Sequence, residues 1–165
     1  FYLYLQISLQ GLDLIDGAGR ADVASSDPRI LTYMHPFFAR RMLHDPIYYA
    51  SSPSIAPLIN TTIGISILNE MTRAQKESPS DNGRVYIHLG SASTMAKHYG
   101  VSRGNVARVM AKVQEAGHYG QNDRGTWVST QLLRDHHRLQ ALKMSHSASA
   151  YAEAYQQRAK EISRQ

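Results

Sequence analysis

The clearest hydrophobic pattern in the chain lies between residues 91 and 116. Apolar side chains recur there three and four residues apart, which is the spacing of an α-helix with one buried face. The pattern is interrupted at Gly100 and resumes after Ser102. We therefore predict two helices, over 91–99 and 102–116, joined by a tight turn. Their apolar positions are Met95, Ala96, Val106, Val109, Met110 and Val113.

Short segments on either side of this helix pair are typical of β-structure. Residues 85–89 are rich in β-branched and aromatic side chains and predict a strand. Residues 118–130 predict a hairpin, because the turn sequence at 122–125 separates two short runs. A polar loop is predicted over 77–83, where Asn82-Gly83 is a strong turn signal.

The first part of the chain is less regular and rich in aromatic residues. Residues 1–15 alternate loosely, which fits a strand, although the end of a buried helix fits as well. Gly11, Gly17 and Gly19 predict a loop or linker over 11–26. We expect the aromatic side chains to lie mostly in a core, with a dimer interface or an effector pocket left open as alternatives.

Helical spacing returns over 30–42 and over 58–73. We expect a break near Pro36, since proline removes a helix hydrogen bond, and a weakened second helix at Gly64. Three dipeptides place a capping side chain before a proline, which favours a helix start. They are Asp27-Pro28, Asp45-Pro46 and Ser52-Pro53.

The C-terminal part, 130–163, has helical composition with a predicted interruption at 145–147. Beyond it, small and apolar residues step by four and three, as in a heptad seam. This spacing predicts either packing within the chain or a dimer helix. The positions are Ala148, Ala152, Tyr155, Ala159 and Ile162.

Composition narrows the function classes. The chain has 165 residues, of which 42% are hydrophobic, and this is enough for one domain or two small ones. It has no cysteine, which excludes disulfides, thiolate metal sites and a cysteine nucleophile. No apolar run approaches the roughly 18 residues that span a bilayer, so we expect a soluble cytoplasmic protein with no membrane partner.

The charge is positive overall and concentrated in the helix pair. Lys and Arg together number 18 against 13 Asp and Glu, which gives a net charge of +5. Between residues 97 and 112 the charged residues are Lys97, Arg103, Arg108 and Lys112, with no acid among them. Charge alone leaves two interpretations open, a footprint for phosphates or a solvated helix face.

Enzyme and metal chemistry find little support. Adjacent His136 and His137 would point about 100° apart on a helix, so they do not converge on one ion. There is no phosphate-binding glycine loop and no nucleophile elbow, and the acids are scattered. We therefore expect no catalytic residues, no cofactor and no bound metal.

The turn between the two central helices has specific requirements. Where the helices nearly touch, a small residue is needed, and Ala96 supplies it. Gly100 tolerates a positive φ, and Val101 follows as an apolar plug. Ser102 is suited to cap the second helix.

These residues resemble the helix-turn-helix of bacterial transcription regulators. With the strand at 85–89 before it and the hairpin at 118–130 after it, the stretch 58–130 is similar to a winged helix-turn-helix domain. The resemblance implies a mainly α fold with a small β-hairpin wing. Residues 1–57 and 131–165 would form flanking helical regions, the first of which matches no family.

The resemblance also implies roles for particular residues in double-stranded DNA binding. The helix over 102–116 would lie in the major groove, where Arg103 and Asn105 would contact base edges while Arg108 and Lys112 met phosphates. Gly104 is a poor helix former near the start of this helix, and its lack of a side chain would let DNA approach closely. The remaining implied contacts are Ser102 at the helix start, phosphate donors Ser91, Ser93 and Thr94 before the first helix, and Arg124 at the wing tip.

The resulting hypothesis is a nucleoid-associated transcription regulator that acts as a homodimer, with a small-molecule effector possible. Two alternatives stay open. One is a plasmid-type replication initiator, which also uses winged helices. The other is a protein-interaction module whose basic helix docks an acidic partner.

Overall fold

The computed structural model describes residues 2–50, 52–59, 61–75 and 82–164. In chain order the helices are α1 (Tyr2–Asp16), α2 (Arg20–Ser26), α3 (Arg29–His44), α4 (Pro46–Tyr49), α5 (Ala56–Ile59), α6 (Gly64–Arg73), α7 (Ala92–Tyr99), α8 (Arg103–Glu115) and α9 (Thr130–Ile162). The strands are β1 (Arg84–Tyr86), β2 (Tyr119–Asn122) and β3 (Gly125–Ser129). The predicted class, mainly α with a small hairpin, is confirmed in this coarse form.

The chain divides into two compact units. Residues 1–49 and 139–165 form the first unit, and residues 50–138 form the second. The helix pair, the hairpin and the first turns of α9 therefore belong to the same unit, which extends beyond the predicted 58–130 stretch on both sides. None of the helices described here combines the length and apolarity that crossing a bilayer requires.

Of the two alternatives left open at the N-terminus, the structure has the helix, because residues 2–16 form α1. The linker predicted over 11–26 is wrong, because 11–16 continue α1 and 20–26 form α2. The apolar residues of α1 lie on both parities, so a period of two and a period of 3.6 both fitted them. Packing decides between them, because Leu5 and Leu9 are fully buried in the core of the first unit. Only the turn between the two helices survives from the predicted loop.

The predicted break at Pro36 does not occur, because α3 runs through it. Proline removes one hydrogen bond from the helix. Ile30, Met34 and Phe38 are buried on either side of that position, and their packing offsets the loss. Two of the predicted capping residues accept a backbone N–H two residues on. Asp45 accepts that of Ile47 at 2.7 Å, and Asp27 accepts that of Arg29 at 3.2 Å.

The interruption predicted at 145–147 is also absent, since α9 is continuous there. Ser147 is fully buried, and His146 Nε2 lies 2.6 Å from Asp45 Oδ2, so tertiary contacts outweigh the weak local preference. The core face of α9 is formed by Ala150 and Ala154. The predicted heptad seam is turned away from that core and includes the exposed Tyr155 and Ile162.

The helix predicted over 58–73 is split into α5 and α6. Gly64 permits the close approach of the two segments, because an added Cβ would be 1.7 Å from the Leu58 carbonyl oxygen. Leu58 also accepts a hydrogen bond from the Thr61 hydroxyl at 2.8 Å, which closes the connecting turn. Of the predicted loop over 77–83, residues 77–81 lie outside the described residues. Asn82 and Gly83 adopt positive φ, as the turn signal predicts.

The three strands form an antiparallel sheet in the order β1-β3-β2. Directly opposed residues share a face, and each strand alternates between two faces. Val85 and Val128 are opposed and buried, so they define the inner face. Tyr86, Trp127 and Gly120 are opposed on the outer face. The outer face is itself partly covered, because Tyr86 is only 8% exposed and Trp127 is half-buried.

Candidate nucleic-acid interface

The turn between α7 and α8 has the geometry that its sequence predicts. Gly100 adopts the left-handed conformation, with φ 65° and ψ 33°. The backbone N–H of Val101 donates to the Ala96 carbonyl at 3.0 Å, which closes the C-terminus of α7. Ala96 itself is buried where α7 packs on α8. The positive φ explains the glycine, because a side chain at that position would be strained.

Serine side chains begin both helices. Ser91 Oγ accepts the backbone N–H of Thr94 at 3.1 Å, and Ser102 Oγ accepts that of Asn105 at 3.2 Å. Each serine satisfies one of the N–H groups that a helix start leaves without a partner. The predicted starts of both helices are thus confirmed by their caps.

Helix α8 has one buried face and one open face. Its valines at positions 106, 109 and 113 are at most 2% exposed, and Met110 is buried beside them. Arg103, Arg108 and Lys112 are exposed, whereas Asn105 is half-buried. Within the described part of the chain none of these polar side chains forms an ion pair or a side-chain hydrogen bond. The open face is therefore positive and not neutralised by an acid.

The polar residues of α8 do not form one cluster. Asn105, Arg108 and Lys112 are three and four residues apart, so they line a single stripe. Arg103 lies about 200° around the helix axis from Asn105, given 3.6 residues per turn. The structure therefore brings together three of the predicted contacts and leaves Arg103 on the other flank of the first turn.

Gly104 occupies the middle of the open face. An added Cβ at this position would meet no atom within 4 Å. Neither φ nor crowding requires glycine there, although glycine costs about 1 kcal/mol relative to alanine inside a helix. The described residues thus offer no intramolecular reason for Gly104, in contrast to Gly64 and Gly100.

The predicted phosphate donors before α7 are exposed, but they are not equivalent. Ser91 Oγ and Thr94 Oγ1 lie 2.9 Å apart and share a hydrogen bond. Ser91 is further occupied by capping. Ser93 makes no such bond and is exposed at the first turn of α7. All three hydroxyls lie at the start of a helix, where the backbone dipole favours an anion.

Arg124 lies at the tip of the hairpin, as predicted, but its side chain turns back. Its Cζ atom sits 4.6 Å from the centre of the Tyr86 ring, and its backbone N–H donates to Asn122 Oδ1 at 3.0 Å. Asn122 in turn donates to the Tyr86 hydroxyl at 3.1 Å. The tip is therefore ordered by contacts with β1.

Sequence reasoning missed a second arginine on the same sheet face. The Cζ atom of Arg84 lies 4.3 Å from the centre of the Trp127 ring. Trp127 is half-buried and lies on the same face of the sheet as Tyr86. The sequence places Arg84 and Tyr86 on the same face of a strand, because they are two residues apart. It does not show that Trp127 pairs with Tyr86, since that depends on the strand register.

Two polar networks tie elements of the second unit together, and the first of them joins α7 to α6. The Tyr99 hydroxyl donates to Glu70 at 2.9 Å, and Arg73 forms an ion pair with the same carboxylate at 2.6 Å. Burial and the Glu70 bond raise the pKa of Tyr99 to about 12. The hydrogen bonds from Arg73 and then from Tyr99 lower the pKa of Glu70.

The second network surrounds Asp135, which is 4% exposed near the start of α9. Its Oδ2 atom accepts hydrogen bonds from Ser54 at 2.6 Å and from Gln131 at 2.7 Å, and Ser52 donates to it as well. Burial by itself raises the pKa of Asp135, but these hydrogen bonds lower it below its ordinary value. Ser52 therefore uses its side chain here, and its backbone carbonyl accepts the N–H groups of Ile55 and Ala56.

His136 and His137 stack with 6.2 Å between their ring centres, and two of the histidines bond to hydroxyl groups. His136 Nδ1 lies 2.7 Å from Thr72 Oγ1, and His118 Nδ1 lies 2.7 Å from Ser129 Oγ. Across the ranges that the structure describes, no three His, Asp or Glu side chains approach closely enough to share a metal ion.

Comparisons of the chain with models of protein families, with curated proteins and with solved structures found no match. The functional conclusion therefore depends on the geometry of the interface described above.

Proposed function

We propose that this chain binds double-stranded DNA in a sequence-specific manner through a winged helix-turn-helix, and that it acts as a bacterial transcription regulator. Helix α8 is the recognition helix and enters the major groove, and the hairpin formed by β2 and β3 is the wing. As a DNA-binding regulator, the protein would be associated with the nucleoid.

The observation that carries this proposal is the open face of α8. It presents Asn105, Arg108 and Lys112 in one stripe, with Gly104 beside them and no acid to neutralise them among the described residues. An exposed stripe of cations without partners is the electrostatic requirement for contact with phosphates. The bare backbone at Gly104 allows a groove wall to come closer than any side chain would.

The mechanism assigns separate tasks along the helix. Arg108 and Lys112 attract the phosphate backbone during encounter and fix the register. Asn105 is suited to pair with adenine, and Arg103 with guanine. Because these two residues lie on different flanks of the first turn, they contact different base pairs rather than one.

A mobility-shift titration against a selected duplex tests these roles. We expect Arg103→Ala to cost about 1–3 kcal/mol in binding and to relax the sequence preference at one base pair. Lys112→Ala should weaken all duplexes alike and reduce the slope of log affinity against log salt by about 0.9. Arg134→Ala is the matched control, since it removes an exposed arginine of the same unit outside this interface.

Two results would contradict the assignment. One is equal behaviour of the Arg103 and Lys112 variants at every sequence and salt concentration. The other is failure of the intact chain to bind any duplex at low salt while it retains an acidic protein partner, which would favour the protein-interaction alternative.

We also propose that the regulator is a homodimer and that flanking helices hold the two copies together. Selection of bound sequences from random duplex DNA tests this point, because half-site spacing reflects the symmetry of the protein. A palindromic consensus supports the dimer, and a single undivided site argues against it.

A further inference from the structure

The outer face of the β-sheet carries two arginines, each stacked on an aromatic ring. Arg84 covers Trp127, with 4.3 Å between Cζ and the ring centre, and Arg124 covers Tyr86 at 4.6 Å. Tyr86 and Trp127 are directly opposed in the β1–β3 register. Their side chains therefore stand about 5 Å apart on one face, which places the two stacks side by side.

The Trp127 ring also contacts the backbone of the neighbouring strand β2. Gly120 is opposed to Trp127, and an added Cβ at Gly120 would lie 2.6 Å from the indole ring. The ring therefore lies flat on the β2 backbone, and Arg84 closes its other side. Arg84 forms no ion pair with any residue that the structure describes. Its guanidinium lies over the indole ring, and Arg84 is an exposed residue.

We propose that this face, which we call the arginine–aromatic face (Arg84, Tyr86, Arg124 and Trp127), binds single-stranded nucleic acid. Unpaired bases stack on guanidinium planes, and guanidinium groups bind phosphates. The rings of Trp127 and Tyr86 lie beneath the arginines and support them. A base-paired duplex keeps its bases within its own stack and offers this face only phosphates. Paired stacks of ring and guanidinium therefore favour a single strand.

This site is distinct from the open face of α8, but it shares the β2–β3 hairpin that we propose as the wing of the duplex complex. The other face of the sheet is buried through Val85 and Val128. The arginine–aromatic face lies on the opposite side of the sheet. A protein that holds a duplex on one surface and a single strand on another suits the replication-initiator alternative, since initiation separates the strands.

The chain contains a built-in reporter, because Trp127 is its one tryptophan. We would titrate the full chain with a 20-nucleotide oligothymidylate at low salt and follow Trp127 emission together with the anisotropy of labelled oligonucleotide. We expect saturable binding that changes the emission. Arg84→Ala should weaken binding about tenfold, as loss of one stacking contact does. It should also reduce the salt slope by about 0.7, the value for one phosphate on a single strand.

Arg84→Lys distinguishes stacking from charge. It keeps the positive charge but lacks the flat guanidinium, so we expect several-fold weaker binding than for the unmodified chain. Arg134→Ala, which removes an equally exposed arginine elsewhere in the unit, should bind within twofold of the unmodified chain. Circular dichroism and thermal melting of each variant confirm that it is folded.

The proposal is overturned if oligothymidylate leaves Trp127 emission unchanged, or if Arg84→Ala binds it as tightly as the unmodified chain does. Full recovery by Arg84→Lys would also overturn it, because only charge would then count. Emission changes produced by duplex alone would assign the face to the wing of the duplex complex instead. Loss of single-strand binding by Arg84→Ala with duplex binding retained supports two separate sites.

Discussion

The Tyr99 hydroxyl donates a 2.9 Å hydrogen bond to Glu70 Oε1, and this bond fastens α7 to α6. Replacement by phenylalanine removes the bond and leaves the ring. We expect Tyr99→Phe to lower the free energy of unfolding by about 1.5 kcal/mol, the value typical of a hydrogen bond to a charged group. Chemical denaturation at pH 8 measures it.

The same bond predicts a dependence on alkaline pH. The pKa of Tyr99 is raised from its ordinary value of 10.0 to about 12 in the folded chain. A raised folded pKa means that the stabilisation is complete below pH 10 and is lost as the pH rises toward 12. The stability difference between the unmodified chain and Tyr99→Phe should therefore narrow across this window. A constant difference at pH 8 and pH 12 would contradict the role of this proton.

Substitution of Gly104 should affect stability and DNA binding in opposite directions. Because an added Cβ meets nothing, we expect Gly104→Ala to raise the free energy of unfolding by about 0.5–1 kcal/mol. If the open face of α8 meets DNA closely, the same methyl group should weaken duplex binding. Thermal melting and mobility-shift assays on one preparation test the expected gain in stability and the expected loss of duplex affinity. A variant that is stabilised and binds normally would remove Gly104 from the interface.

Gly64 provides the opposite case. Its Cβ would lie 1.7 Å from the Leu58 carbonyl oxygen, a backbone atom that cannot move aside cheaply. We expect Gly64→Ala to destabilise the second unit by about 3 kcal/mol or more, or to prevent its folding. Denaturant titration followed by circular dichroism measures it. Near-normal stability would mean that the turn between α5 and α6 is less tight than described.

Asp135 anchors the segment at 52–54 to α9. Asp135→Ala leaves the Ser52, Ser54 and Gln131 donors without their acceptor, and we expect a loss of about 2–4 kcal/mol. Asp135→Asn keeps an acceptor oxygen but not the charge. Its free energy of unfolding should lie between those of the unmodified chain and Asp135→Ala. Urea denaturation at neutral pH ranks the three proteins.

Acid should reduce the difference in stability between the unmodified chain and Asp135→Asn. The pKa of Asp135 lies below its ordinary value of 3.8, so its stabilisation is present above pH 3.8 and is lost as the pH falls through the folded value. The unmodified chain should therefore lose its advantage over Asp135→Asn on acidification. An advantage that persists at pH 2 would show that the charge is not what the serines stabilise.

The helix pair and the hairpin could be predicted because their signals are local. Ser102 caps the helix that starts one residue later, and Gly100 supplies the positive φ of its own turn. The valines of α8 repeat at the period of the helix that they bury. Each signal acts over one or two turns of chain, so a single sequence contains it in full.

Predictions failed where long-range contacts outweigh local preference. Pro36 and Ser147 both disfavour a helix interior, yet each lies in a continuous helix whose neighbouring side chains are buried. The stacking of Arg84 on Trp127 joins residues 43 positions apart and depends on strand register. Sequence alone thus determined the local helices, caps and turns and the concentration of positive charge. Only the tertiary structure decided which helices continue and which side chains meet, because packing energy depends on neighbours that are distant in the chain.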